Sequence, residues 1–88
     1  MRLKFHVCFE REEEGGYHAY VPALPGCHTY GRTIEEAEER IKEAIALYIE
    51  GLVEHGLPIP EPLEEPFLKA VDVEVPLDVT KVKASSRS

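Results

Sequence analysis

The sequence predicts an α+β domain of βββαβ order, a four-stranded mixed sheet in the order 3-2-1-4 with a single helix on one face. Three observations lead there. Residues 3–10 alternate apolar and polar side chains without a break, the period of a strand with one buried face. A capping sequence, Thr33-Ile34-Glu35-Glu36, opens a run whose apolar residues recur three and four apart, as on a helix packed along one side. A second alternation, Val71, Val73 and Val75 against Asp72 and Glu74, follows a proline-rich link and supplies the last strand.

In the first strand Leu3, Phe5, Val7 and Phe9 form the apolar side, and Lys4, His6, Cys8 and Glu10 the other. Residues 11–16, charged and ending in two glycines, make a hairpin loop to a second strand over Tyr17 to Val21. Matching apolar faces places Phe9 opposite Tyr17, Val7 opposite Ala19 and Phe5 opposite Val21. Pro22 and Pro25 remove ladder donors and Gly26 permits a tight backbone, so residues 22–26 are a turn. Cys27 to Tyr30 is the returning strand, with Cys27 and Thr29 inward and His28 and Tyr30 outward beside Tyr20 and His18. Gly31 breaks that strand.

The Thr33 hydroxyl and the Glu36 carboxylate can each take up a free amide at the helix start. The expected stripe is Ile34, Ala37, Ile41, Ala44, Ile45, Tyr48, Leu52 and Val53, running to about His55. The acidic run after Thr33 is a solvated face at the positive end of the helix dipole. Gly51 costs a helix about 1 kcal/mol relative to alanine, so a close neighbour is expected there, and Gly56 suits the C-terminus. Residues 57–66 hold four prolines and form an extended crossover. The strand over 70–75 is expected to run parallel to an earlier one under the right-handed crossover rule. The domain occupies 1–76, and 77–88 is a tail, disordered from about 84.

Eighty-eight residues carry 17 acidic against 10 basic side chains, a net charge of −7. That balance repels nucleic-acid phosphates and favours a basic protein partner. A domain of this size leaves much of its surface exposed, which points to self-association as a homodimer or tetramer. No run has the length or apolarity of a membrane span and no signal-peptide layout is present, so a cytoplasmic protein is expected. Cys8 and Cys27 form neither a disulfide framework nor a paired zinc motif.

The outward face of the sheet gathers His6, Cys8, His18, Tyr20, His28 and Tyr30, residues able to stack, move protons or bind metal. The reading these residues favour is an interface with a second copy or a partner, since Tyr and His bury area while keeping a polar tip. A metal site would draw on His6, Cys8, His18 and His28, but no HxH, HxxxH or CxxC spacing supports one. Catalysis by a cysteine with a histidine base lacks a nucleophile motif and an oxyanion-hole loop. An ordinary solvated face is the remaining reading. Two-metal nuclease chemistry on a ribonuclease-H-like fold needs converging inward carboxylates, which this chain does not supply. No enzyme and no cofactor is expected.

The strand FHVCFE, the loop EEEGGY, the segment YVPALPGCHTYGRTIEEAEERIKEAIALYIE and the following HGLPIPEP together resemble the HicB-like antitoxin family over residues 3–76. The resemblance implies a domain like part of a ribonuclease-H fold without its active site. It also implies neutralisation of a small basic HicA-type toxin, an mRNA-cleaving ribonuclease, by binding that blocks its catalytic histidine. An acidic antitoxin meeting a basic toxin fits the charge balance. Many members add a C-terminal DNA-binding domain, and this sequence stops where that would begin, so DNA binding by this chain alone is not expected. The motif residues Pro22, Pro25, Gly26, Gly31, Thr33 and Glu36 are architectural in this reading. The alternative is an orphan oligomeric domain that binds a metal or small ligand on its His/Cys/Tyr face.

Overall fold

The structure is a computed structural model and describes residues 2–61 and 69–75. Its elements are β1 (Arg2–Arg11), β2 (Tyr17–Tyr20), β3 (His28–Gly31), α1 (Ile34–Glu54) and β4 (Lys69–Glu74). The sheet order is β3-β2-β1-β4, as expected. The domain boundary at 76, the tail and much of the proline-rich link lie outside the described residues.

One feature of the expected topology is overturned: β4 runs antiparallel to β1, from Arg2 opposite Glu74 to Val7 opposite Lys69, so the sheet is wholly antiparallel rather than mixed. The physical reason is reach. Fourteen residues join α1 to β4 and extend up to about 45 Å at roughly 3.3 Å each. A 21-residue helix is only about 31 Å long. The chain can therefore be delivered to either end of the sheet, and the crossover rule does not bind.

The β1–β2 register also departs from expectation, by two residues. Phe9 pairs with Ala19, Cys8 with Tyr20 and Arg11 with Tyr17. The expected pairing would leave seven residues in the loop, whereas five suffice: the Gly15 N–H donates to the Glu12 carbonyl and the Glu12 N–H to the Gly16 carbonyl. An even displacement keeps every side chain on its expected face, so Phe5, Val7 and Ala19 are buried as anticipated.

Between β2 and β3 the chain makes two successive turns. The Leu24 N–H donates to the Val21 carbonyl and the Cys27 N–H to that of Leu24, while the Val21 N–H closes the loop onto Cys27. Pro25 and Gly26, the latter at φ +83°, are the central pair of a type II turn. Leu24 points back into the core and is fully buried.

Helix α1 packs on β2, β3 and β4 through Ala37, Ile41, Ile45 and Ile49, each fully buried. The expected stripe missed Ile49 and included Ile34, which is exposed. With Phe5, Val7, Leu24, Val71, Val73 and Val75 these residues make the core. Burying each large side chain contributes about 1.5–3 kcal/mol. The helix ends as a Schellman motif, with the Leu57 N–H on the Leu52 carbonyl, the Gly56 N–H on that of Val53, and Gly56 at φ +66°.

Candidate interaction surfaces

On the face of the sheet away from α1, β3, β2 and β1 bring the predicted residues into two cross-strand rows. His28 pairs with Tyr20 and Tyr20 with Cys8, while Tyr30 pairs with His18 and His18 with Glu10. The His18 ring lies edge-on to His28 at 5.4 Å between centroids and tilted against Tyr20 at 5.9 Å. A hydrogen bond to Cys8, with the charges that Cys8 and Glu10 carry when ionised, raises the Tyr20 phenol above its ordinary value. His18, Tyr20, His28 and Cys8 thus form one contiguous patch, and His6 follows Cys8 along β1 opposite Ala70.

Tyr30 behaves differently from the rest. Its hydroxyl donates to the Gly15 carbonyl at 2.8 Å, and with Glu12, Glu13, Glu14 and Gly15 it lines an open acidic cleft at the hairpin loop. Among the described residues, no three His, Cys, Asp or Glu side chains are placed to hold a metal ion.

The residues read as architectural sit at the joints. The Glu36 N–H donates to the Thr33 hydroxyl at 3.0 Å and the Arg32 N–H to the Glu36 carboxylate at 2.8 Å. The reciprocal cap is therefore present, displaced by one residue at its return bond. Gly31 abuts the first turn of α1, where a Cβ would lie 2.6 Å from the Ala37 Cα. Among the described residues the close neighbour expected at Gly51 is absent, since a Cβ there would meet nothing within 4 Å, whereas Gly31 packs closely against the helix.

The outward side of α1 holds a residue that the sequence reading passed over. Leu47 is 69% exposed, off the buried stripe by half a turn. Glu39, Glu43 and Glu54 are exposed on the same side, with Glu50 half-buried. An apolar residue outside the helical stripe was the signal available for it.

A family model described as the HicB-like antitoxin of bacterial toxin–antitoxin systems matches residues 5–86. UPF0150 protein ssr1765 of Synechocystis is 51% identical over 57 residues, covering 65% of this chain and 72% of that protein. The N-terminal domain of the Burkholderia pseudomallei antitoxin HicB superposes with a TM-score of 0.67 at 25% identity, covering 85% of this chain and all of that one. A chain of the HicA3–HicB3 toxin–antitoxin complex superposes with a TM-score of 0.61 at 25% identity, covering 83% of this chain and 98% of that one.

Proposed function

The chain belongs to the HicB-like antitoxin family, and from that membership we propose that it neutralises a small basic HicA-type ribonuclease by binding it. The observation that carries this reading is the likeness to a chain of the HicA3–HicB3 complex over most of its length. The net charge of −7 supports it, since complementary charge speeds encounter with a basic partner and favours it over acidic competitors. The chain acts as a binding module rather than an enzyme, as its family does, and in the cytoplasm, where transcripts are cut. The His6, Cys8, His18, Tyr20, His28 and Tyr30 face is a protein contact in this reading, covered by a second copy.

Capture tests it. The immobilised protein, exposed to native lysate of its source organism, is expected to retain a small basic ribonuclease near one-to-one. Added in equal amount, the protein silences that enzyme in an RNA-cleavage assay. Full RNA cleavage at stoichiometric excess of this protein would refute the reading.

A further inference from the structure

Helix α1 makes three choices in its C-terminal half that work against its own stability. Gly51 sits in the helix interior with no described atom near its missing Cβ, although glycine weakens a helix there. The last turn contains no basic residue, where the negative end of the helix dipole favours one, and Glu50 and Glu54 stand four apart as a repelling pair. Leu47, one turn before Gly51, leaves most of its side chain in water. The two basic side chains of the helix are engaged further towards its start, Arg40 with Glu36 and the Tyr30 carbonyl, Lys42 with Glu38 and Glu39. At the C-cap the His55 ring bonds the Gly51 carbonyl and the Schellman motif closes the helix end, but these contacts leave Leu47 in water and the space at the missing Gly51 Cβ without a described neighbour. Local rules broken together on one surface mark a surface kept for something else.

We propose that this ridge, centred on Leu47 and the notch at Gly51, is where the basic toxin docks; the inference rests on the antitoxin reading. An apolar anchor ringed by Glu43, Glu50 and Glu54 has the layout of an interface centre with a charged rim. Gly51 leaves the helix backbone open to a partner side chain beside that anchor. The sign of the rim selects the occupant: cationic groups pair with these carboxylates, whereas a second copy laid on the same ridge would set carboxylate against carboxylate. The ridge lies across the helix from the sheet, so the His/Cys/Tyr face stays free for a second copy while the toxin is bound.

The test uses the full chain, a purified HicA-type ribonuclease, binding by calorimetry and inhibition of RNA cleavage, with circular dichroism to confirm folding. Leu47→Arg and Gly51→Arg place a helix-forming residue at the exposed Leu47 and at the half-buried Gly51, and are each expected to weaken binding about tenfold or more. The double variant His18→Ala, Tyr20→Ala is expected to keep its affinity for the toxin within about threefold while weakening self-association. Both ridge variants binding like a functional wild type would overturn the docking site and leave the antitoxin reading standing. Absence of binding and inhibition by the wild type itself would overturn that reading and the docking site with it.

Discussion

Gly31, the last residue of β3, lies against the backbone of Ala37 in the first turn of α1, with room for no side chain between them. A Cβ on Gly31 would stand 2.6 Å from the Ala37 Cα and 2.9 Å from the Glu36 carbonyl carbon. Both are backbone atoms of a capped helix and cannot swing aside. Gly31→Ala is therefore expected to destabilise the domain by about 1–3 kcal/mol, as overpacked sites do. Urea unfolding followed by circular dichroism measures this, and an unchanged midpoint would show that strand and helix can separate without cost.

The cap two residues later supports a second prediction. Thr33 takes the Glu36 N–H on its hydroxyl, one of the amides that a helix start cannot satisfy internally. Thr33→Ala is expected to cost about 1 kcal/mol, and Thr33→Ser to recover most of it, since the hydroxyl is what the cap requires. Denaturation midpoints of the three proteins check the order.

A third prediction concerns acid. Lys69 on β4 donates a hydrogen bond to Glu38 on α1. That bond, helped by the charges of Lys69 and Lys42 and opposed by partial burial, holds the Glu38 carboxyl below its ordinary 4.5. The unfolded chain takes up this proton more readily than the folded one. The stabilisation is therefore complete above pH 4.5 and disappears as pH falls through the lower folded value. Lys69 is half exposed, so the pair contributes at most about 1 kcal/mol. Lys69→Gln is expected to lower stability at neutral pH and to match the wild type in strong acid; a difference that persists in acid would assign it to packing instead.

The two cysteines are expected to separate cleanly. Burial pushes the Cys27 thiol from 9.0 up to about 11, leaving about a hundredfold less thiolate at neutral pH. Cys8 is half-buried on the open face of the sheet. A thiol reagent should modify Cys8 in the native protein and Cys27 only on unfolding, readable by mass spectrometry of intact protein. The same shift makes stability fall as pH rises from 9.0 towards 11, because the unfolded thiol ionises first. Cys27→Ala removes that alkaline dependence.

Much of this arrangement is legible in the residues, because strand faces and caps are written in local patterns. The period-two alternation from Leu3 to Phe9 placed every β1 side chain on its correct face, and Thr33 with Glu36 located the helix start within one residue. What the sequence did not carry depends on distance rather than pattern. The direction of β4 follows from where a long connection delivers the chain, and the two-residue register offset follows from how tightly Gly15 and Gly16 let the hairpin close. Gly31 and Gly51 look alike as letters, yet one faces a helix backbone and the other meets no neighbour among the described residues. His18, Tyr20 and His28 share the outer face as expected because strand alternation fixes the face of each residue once β2 and β3 pair. Leu47 was overlooked because a stripe is sought by its members, whereas this residue is informative for lying outside it.

The order of strands in the sheet has a consequence for the chain as it is made. Each pairing but one joins sequence neighbours, and only β1 with β4 spans the protein from end to end. Near pairings close first because they forfeit less chain entropy. On the ribosome, β1 therefore waits with one hydrogen-bonding edge bare until residues 69–75 emerge. That edge bears Arg2 and Lys4, which later face Glu74 and Asp72. Positive charge on an open strand discourages pairing with a neighbouring nascent copy, while the acids of the strand to come are drawn to it. The first strand made thus holds a place for the last.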